Sequence, residues 1–478
     1  MREKLKTGLL GIALAAATAA PAFAQGAPAP TINSGDTAWV LVSAALVLLM
    51  TPGLAFFYGG LVRSKNSLNT LMMSYVALAV VGLEWVLFGY SLAFAPGSQW
   101  LGGLQWLGLN GVGQEPSPLY MSTVPHLAFM VFQAMFAVIT PALISGAIVS
   151  RMKFKTYVVF IMLWSAIVYV PIAHWVWSFT TDTAGKLIPG GWVGTLGGLD
   201  FAGGTVVHVS AGISALVAAL ILGRRKGYPG QPMPPHNVPF VMLGAGLLWF
   251  GWFGFNAGSA GAANGLAAAA FVTTNTATAA AMATWLLIET IFNKPTAVGG
   301  ATGAVVGLVA ITPAAGFVTP LGAIAIGGIA AIISYAMIQL RTKLQYDDSL
   351  DVFGCHGMGG LTGALLTGVF CTKAVNPAVV NEGLAYGGGF TQVWIQIISV
   401  VGTVVIAVLG TSVILYALKF TMGLRPSDKE EQEGLDVNEH GEESYTGLAG
   451  GYSLAEEGSP FSSSSSPSPS NISRPIME

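Results

Sequence analysis

Long apolar stretches, each close in length to the thickness of a lipid bilayer, dominate this chain of 478 residues. A helix needs about 20 apolar residues to cross a hydrocarbon core roughly 30 Å thick. Only 9% of the residues are charged, against about 25% in soluble domains, and the mean hydropathy is +0.66. Eleven stretches qualify as spans, at residues 38–62, 68–95, 122–149, 155–179, 203–223, 237–257, 263–292, 297–315, 319–341, 354–373 and 390–420. The sequence therefore predicts an all-α polytopic membrane protein with eleven transmembrane helices, of which 297–315 is the shortest and is rich in glycine.

The two ends of the chain differ from this apolar part. Residues 1–24 combine a basic start, an apolar core too short to span and the small-residue sequence AFA, which is typical of a cleaved secretory signal peptide. A retained anchor helix is the alternative. Residues 25–424 form the transmembrane domain, residues 425–445 a tail, and the Ser- and Pro-rich residues 446–478 have a composition typical of disorder.

The distribution of basic residues predicts the orientation in the membrane. With the mature N-terminus outside, fourteen Lys and Arg residues fall on the cytoplasmic side and two, Lys186 and Lys373, on the outer side. Cytoplasmic loops carry an excess of Lys and Arg. We therefore expect a cytoplasmic C-terminus and, together with the signal peptide, a bacterial inner-membrane location.

Composition and motifs exclude several classes of function. The formal net charge is −2, and no basic cluster indicates nucleic-acid binding. No nucleophile–base constellation or phosphate-binding loop indicates an enzyme. Cys355 and Cys371 lie 16 residues apart in one apolar stretch, about 24 Å along a helix, which is too far for a disulfide bond. We expect free thiols and no metal or cofactor.

Two of the six histidines, His208 and His356, fall deep inside predicted spans five and ten. Of the others, His440 is expected in the solvated tail and His236 in a solvated inner loop. His126 and His174 are expected at the membrane interface, at the outer ends of spans three and four. An ionisable group inside a span is costly and so is a functional candidate by default.

The segments around His208 and His356 resemble each other. Aligning HVSAGISALVAAL with HGMGGLTGALLTGVF on the histidines places Gly212 against Gly360. Spans made of small residues often look alike, but the two spans are offset by five in chain order, and an odd offset makes the two halves inverted relative to one another. Inverted repeats place their sites near the midplane at the repeat interface. The sequence thus predicts a five-plus-five inverted repeat in which the two histidines meet.

Two facing neutral imidazoles can share one proton and offer a donor or an acceptor to a guest molecule. A packing role for each histidine is the simpler alternative. A metal site would need further ligands that are absent nearby. Asp200 precedes His208 by eight residues. It is expected to cap the start of span five, and its charge would also stabilise a nearby cation.

Five aromatic residues fall within spans, several near predicted outer ends: Phe132, Phe136, Trp177, Trp252 and Phe255. Aromatic belts at the membrane interface explain many residues of this kind. If the rings converge, they can instead bind a small cation through their faces, which is worth up to about 2 kcal/mol when water is excluded.

Several long motifs carry a family resemblance. They are PGLAFFYGGLVRSKN, FQAMFAVITPALI, YVPIAHWVW, LDFAGGTVVHVSAG, GWFGFNAGSA, DVFGCHGMGG and, in the tail, EEQEGLDVNEHGEESY. From about residue 36 to residue 445 the chain resembles the ammonium transporters of bacteria, archaea and plants. The resemblance implies eleven spans, a pseudo-twofold between spans one to five and six to ten, and a homotrimer with one pore in each subunit.

The resemblance also implies a role for each matched residue. The outer vestibule that binds ammonium would be formed by Phe132, Phe136, Trp177 and Ser259. The gate would be Phe136 with Phe255, and the pore would be lined by His208, His356 and Trp252, with Asp200 in a structural or electrostatic role. Ammonium, or its analogue methylammonium, would be recruited at the vestibule and deprotonated, and ammonia would pass the histidines. Passive ammonia conduction and electrogenic transport both fit the sequence.

In the family, PII-type signalling proteins close the inner pore mouth, so the resemblance implies a regulatory role for residues 425–445 and a PII-type partner at the cytoplasmic face. Two alternative functions are an ammonium sensor or PII scaffold with little flux, and a channel for a neutral gas or a urea-like molecule, which would need no cation vestibule.

Overall fold

The structure, a computed structural model, describes residues 31–445. The predicted signal peptide and the Ser- and Pro-rich tail lie outside the described residues. Nine helical segments in the described part are long and apolar enough to cross a membrane: Ser34–Leu61, Ser64–Phe94, His126–Ile148, Phe154–Trp177, Gly204–Leu222, Val238–Gly258, Gly265–Phe292, Pro320–Leu344 and Thr391–Thr421. The remaining two predicted spans are also helical but shorter, and the shorter of them is Ala297–Ile311, with 15 residues.

We number the α-helices in chain order: α1 Ser34–Leu61, α2 Ser67–Glu84, α3 Tyr90–Phe94, α4 His126–Ile148, α5 Phe154–Trp164, α6 Val170–Trp177, α7 Trp192–Thr195, α8 Ser210–Leu222, α9 Val238–Gly258, α10 Gly265–Phe292, α11 Ala297–Ile311, α12 Pro320–Leu344, α13 Met358–Phe370, α14 Thr391–Thr421, α15 Asp428–Glu433 and α16 Leu435–His440. A hairpin of two antiparallel strands, β1 Phe179–Thr181 and β2 Leu187–Pro189, follows α6. We call the ends of the spans that carry Arg63, Arg151 and Arg225 the inner ends, and the opposite ends the outer ends.

Polar caps in the sequence set where several long helices begin. Five side chains each accept a hydrogen bond from a backbone N–H in the first turn of the following helix: Asn33, Asn237, Asn264, Thr296 and Thr319. Asn and Thr suit this position because their short side chains satisfy N–H groups that have no partner within the helix. The first turns of α9 and α12 also contain a proline, which favours the start of a helix at these positions. The N–H that proline lacks would have no partner within the helix in a first turn.

Four spans contain one wide turn of π-helix, a feature that the sequence analysis did not predict. The turns are Trp85–Gly89, Ser165–Tyr169, Gly204–Val209 and Phe353–Gly357. π turns are rare and frequently mark functional sites. The third contains His208 and leads into α8, and the fourth contains His356 and leads into α13.

The two histidine helices cross at glycine residues. A Cβ atom added to Gly212 would lie 2.1 Å from the backbone nitrogen of Gly357, and one added to Gly360 would lie 2.9 Å from the Cβ of His208. Each glycine of the aligned pair therefore lies against the histidine turn of the other helix. Such close approach of two backbones is the usual reason for small residues between transmembrane helices. The meeting of His208 and His356, predicted from the repeat, is confirmed.

Replacing Gly212 with alanine is expected to lower the melting temperature of the purified protein, because the added methyl group has no space at the crossing. Overpacking of this kind costs about 1–3 kcal/mol. Gly246→Ala is the matched control, since Gly246 is also within a helix but an added Cβ would meet nothing within 4 Å. Equal melting temperatures for the two variants would contradict a tight crossing at Gly212.

The tail docks on the inner ends of the spans. The Asp436 carboxylate accepts hydrogen bonds from the backbone N–H groups of Leu68, at 3.0 Å, and Asn69, at 2.8 Å, which open α2. A carboxylate is favoured at this helix end, where free N–H groups carry partial positive charge. His440 lies 3.0 Å from the Asn69 amide and is half-buried. The expectation that this histidine is solvated was wrong, because the tail folds back onto the bundle.

The other three histidines outside the repeat also have protein partners. His236 lies 2.8 Å from the Val62 carbonyl and 3.1 Å from the Tyr445 hydroxyl. It was expected to be solvated, but these contacts remove part of it from water. His126 and His174, expected at the outer ends of their spans, are buried within the protein. His126 lies 2.6 Å from the Tyr90 hydroxyl, and both ring nitrogens of His174 lie within 2.8 Å of backbone carbonyl oxygens. The long connection between α3 and α4 covers these two rings, which a count of helix ends does not anticipate.

Candidate functional site

His208 and His356 face each other in the middle of the bundle. Their Nδ1 atoms are 3.3 Å apart, and the ring centroids are separated by 5.3 Å. Both side chains are buried. Two neutral imidazoles at this separation share one proton, so one Nδ1 donates and the other accepts. The Nε2 atom of His208 is buried and has no hydrogen-bond partner among residues 31–445, which leaves it available to a guest molecule.

An aspartate anchors each histidine turn. The Asp200 carboxylate accepts hydrogen bonds from the backbone N–H groups of Gly203, Gly204, Thr205 and Val206 at 2.6 to 3.2 Å, and from the Thr205 hydroxyl. This is the capping geometry expected for Asp200. Asp348 caps the second turn with a single bond, accepting from the backbone N–H of Phe353 at 2.7 Å.

The sequence analysis missed Asp348. The signal was present, because Asp348 precedes His356 by eight residues, as Asp200 precedes His208. The aligned repeat therefore extends upstream of the histidines and includes the residue that holds each π turn.

A narrow, mostly apolar cavity surrounds the two imidazoles. Its free volume is about 10 Å³, and aliphatic side chains such as Leu54, Ile139 and Val305 line it with the two histidines. A space of this size holds about one water molecule. Only a small guest molecule fits, and the histidine nitrogens are its principal hydrogen-bonding partners.

Trp252 fixes one side of this cavity. Its ring stacks on His208 with centroids 5.3 Å apart and planes inclined by 21°. The indole N–H donates to the Thr312 hydroxyl at 2.9 Å, and that hydroxyl donates to the Leu308 carbonyl at 2.7 Å. Because the indole N–H already has a hydrogen-bond partner in Thr312, Trp252 presents only a ring face to the lumen.

Two stacked phenyl rings separate the histidines from the outer end. The Phe136 and Phe255 centroids are 4.2 Å apart, and both side chains are buried. Phe255 also lies 6.1 Å from the His208 ring. Phe132 packs against Phe136 at 5.0 Å and is equally buried, so it supports the stack from the side.

Trp177 and Ser259 lie on the outer side of this stack and are half-buried. The Trp177 and Phe136 centroids are 5.9 Å apart. The indole N–H of Trp177 donates to the Asp200 carbonyl at 2.9 Å, and the Ser259 hydroxyl donates to the Phe255 carbonyl at 2.8 Å. The serine oxygen therefore keeps its lone pairs free. The structure thus links all nine predicted site residues through successive contacts between Trp177 and His356.

Comparison with known proteins identifies the family of the chain. The family model described as Ammonium Transporter Family matches residues 38–445. The chain belongs to the ammonium transporter family. The match includes the docked tail and every span except the first four residues of Ser34–Leu61, so the resemblance seen in the motifs extends over all described residues but 31–37.

Individual relatives are similar over nearly their full length. The chain is 50% identical to an ammonium transporter of Bacillus subtilis over 416 residues, which are 87% of this chain and 99% of the relative. It is 42% identical to ammonium transporter Amt1 of Archaeoglobus fulgidus, covering 87% of this chain and all of the relative.

Solved structures show the same fold. The crystal structure of Saccharomyces cerevisiae Mep2 superposes with a TM-score of 0.76 at 36% identity, covering 84% of this chain and 89% of that one. A structure described as a sensor Amt protein superposes with the same TM-score at 30% identity, covering 85% of this chain and 98% of that one. The predicted all-helical transporter fold is confirmed, and the chain is a multi-pass membrane protein.

Proposed function

We propose that this ammonium transporter family member transports ammonium along the path from Trp177 to His356. The observation that carries the proposal is the pair of facing imidazoles in a lumen with room for one small molecule. A solute larger than ammonia does not fit this space, and an apolar gas would not need paired histidines.

Recruitment takes place outside the phenyl stack. The faces of Trp177 and Phe136 offer negative ring potential to a small cation, an attraction of up to about 2 kcal/mol when water is excluded. The free lone pairs of Ser259 accept a hydrogen bond from the same cation. The half-buried surfaces of Trp177 and Ser259 allow water to reach this position, so ammonium loses only part of its hydration here.

Deprotonation precedes passage through the stack. A bare cation in an apolar lumen would cost many kcal/mol, whereas neutral ammonia costs far less. Phe136 and Phe255 are in contact in the structure, so their rings must move apart for each molecule that passes. Ammonia then binds in turn at the ring nitrogens of His208 and His356 that are not used in the contact between the two rings. The proton either stays outside, which gives passive ammonia conduction, or crosses separately through the histidines and water, which gives electrogenic transport.

The surroundings of the pore follow from the same proposal. The chain forms a homotrimer in a bacterial inner membrane, with the mature N-terminus outside and the docked tail in the cytoplasm. A PII-type protein binds at the inner face and contacts the tail. Co-purification of such a protein with the full chain, compared with a chain lacking residues 426–445, tests this partner. Equal recovery with both chains would remove the tail from the interaction.

Ammonium-dependent currents and uptake in proteoliposomes of the purified protein test the function directly. We expect both signals, with competition by methylammonium, because the vestibule recognises a small cation. Uptake without competition by methylammonium would favour a channel for a neutral molecule. Ammonium binding with negligible flux would favour the sensor function, which the structural likeness to a sensor protein makes a specific alternative.

A further inference from the structure

A second and larger cavity lies at the inner ends of the spans, directly beside the histidine cavity. Its volume is about 340 Å³, and Phe57 lines both cavities. Three arginines face it, Arg63, Arg225 and Arg341, together with one carboxylate, Asp351. We call this space the inner cavity. Its wall carries a net positive charge, which is unusual on a path proposed to release a cation or its neutral base.

Arg225 and Arg341 are held in place by acidic partners and still have donors to spare. Arg225 donates from Nη2 to Asp347 at 2.7 Å and from Nε at 2.9 Å, and Asp347 is buried behind the wall. The Nε atom of Arg341 lies 2.6 Å from the Asp351 carboxylate in an ion pair, and its Nη1 donates to the Asp348 carbonyl at 3.3 Å. Within the described residues, neither Nη1 of Arg225 nor Nη2 of Arg341 makes a hydrogen bond. Both guanidinium groups are therefore ion-paired, and each keeps donors that are not used.

Arg63 differs from these two, because its side chain makes no hydrogen bond or ion pair with any residue in the described part of the chain. It lies between α1 and α2 and is half-buried. Burial lowers the pKa of the Arg63 guanidinium, and the nearby positive charge of Arg225 lowers it further. Glu431 is the acidic group that acts in the opposite direction, but its carboxylate is already bound by Arg425 and by the backbone N–H of Lys226.

We infer that the inner cavity binds a small doubly charged oxyanion, of the phosphate or dicarboxylate class. Guanidinium groups match the paired oxygens of such anions and bind them in a bidentate manner. Arg225, with a side chain 9% exposed, is held at the base of the site by Asp347. Arg63 supplies a guanidinium group whose N–H donors are all available to the anion. Tyr228 and Gln231 add neutral polar groups to the wall. The volume lies at the lower end of the range for ligand pockets, about 300–1,000 Å³.

An anion bound here obstructs the inner end of the path. Phe57 and Cys355, the neighbour of His356, belong to the wall of the inner cavity, so a bound anion fills the space through which ammonia leaves the histidines. This consequence rests on the proposed conduction path, whereas the binding itself does not. The structure thus connects the level of a cytoplasmic anion with the rate of transport.

Binding is tested on the purified full-length protein by calorimetry and thermal shift, with inorganic phosphate and succinate titrated separately at constant ionic strength set by chloride. We expect saturable binding of at least one of the two anions. Arg63→Gln should weaken it about tenfold or more, because charge-assisted hydrogen bonds are lost. Lys294→Gln is the matched control, since it removes the same charge from an exposed inner loop outside the cavity. It should leave the affinity unchanged.

Several outcomes would overturn the inference: no saturable binding of either anion, equal affinity of Arg63→Gln and the wild type, or equal weakening by Lys294→Gln, which would indicate general charge screening. Arg63→Lys keeps the positive charge but lacks the planar set of guanidinium donors, so it should bind the anion with intermediate affinity. It replaces Arg63→Gln in the comparison if that variant fails to fold. A response to phosphate alone or to succinate alone identifies the class of ligand.

Ammonium flux into vesicles with and without the trapped anion then separates anion binding from the proposed transport function, because flux without anion reports on the pore alone.

Discussion

Replacing His208 or His356 with alanine is expected to abolish net ammonium transport while leaving the protein folded. Each variant removes the hydrogen-bonding nitrogens that one half of the lumen offers to ammonia, and the remaining wall near that position is mainly aliphatic. It also breaks the Nδ1–Nδ1 contact of 3.3 Å that fixes the protonation of the pair. Each hydrogen bond lost in an apolar site costs about 1–3 kcal/mol, a factor of roughly five to more than a hundred in rate, and the loss of several such bonds together brings net transport to background.

The measurement is uptake and current in proteoliposomes, with the melting temperature of each variant as a check on folding. His440→Ala is a matched control, because it removes an imidazole from the docked tail and not from the pore. Flux and currents like those of the wild type in either pore variant would refute the central role of the pair. A variant that still conducts ammonia but has lost its current would show that the histidines are needed for transfer of the proton and not for passage of ammonia.

The sequence could predict the parts of this site that local patterns specify. Hydropathy located the spans, and the spacing of apolar segments between His208 and His356 predicted that the two residues meet. The aligned glycines, Gly212 and Gly360, turned out to lie at the crossing because close backbone contact tolerates no side chain. Asp200 was predicted as a cap from its position before a helix, and its eight-residue spacing could also have revealed Asp348.

Other features depend on contacts between distant segments and have no local signature. A π turn arises where one residue is added to a helical turn, and the residue types of an ordinary helix allow it. The stacking of Phe136 on Phe255 joins residues far apart in the chain, so the sequence could only propose that the rings converge. The docking of Asp436 on α2 is likewise a tertiary contact, and composition alone suggested a solvated tail around His440.

Replacing Asp200 with alanine is expected to produce a large loss of stability, to the point of poor recovery of folded protein. The buried carboxylate accepts bonds from four successive backbone N–H groups and from the Thr205 hydroxyl. Without it, these donors are unsatisfied beside an apolar environment, at about 1–3 kcal/mol each. The summed penalty is comparable to the whole stability of many folded proteins, about 5–15 kcal/mol.

Asp182→Ala is the control for this prediction, because Asp182 also accepts two backbone N–H bonds, from Ala184 and Lys186, but in an exposed outer turn. Water replaces the carboxylate there, so the melting temperature should change little. Similar melting temperatures for Asp182→Ala and Asp200→Ala would contradict the anchoring role of Asp200.

Asp200→Asn separates anchoring from charge. The amide keeps one acceptor oxygen, so this variant should melt between the wild type and Asp200→Ala, and the Asp200 backbone carbonyl still receives the Trp177 N–H. The vestibule is then intact while the negative charge near the π turn is gone. If that charge stabilises the incoming cation or a charged histidine, transport at low ammonium concentration should fall more than the loss of stability explains. Transport equal to that of the wild type in folded Asp200→Asn would restrict Asp200 to capping, because a carboxylate that acts through its field cannot be replaced by a neutral amide of the same shape.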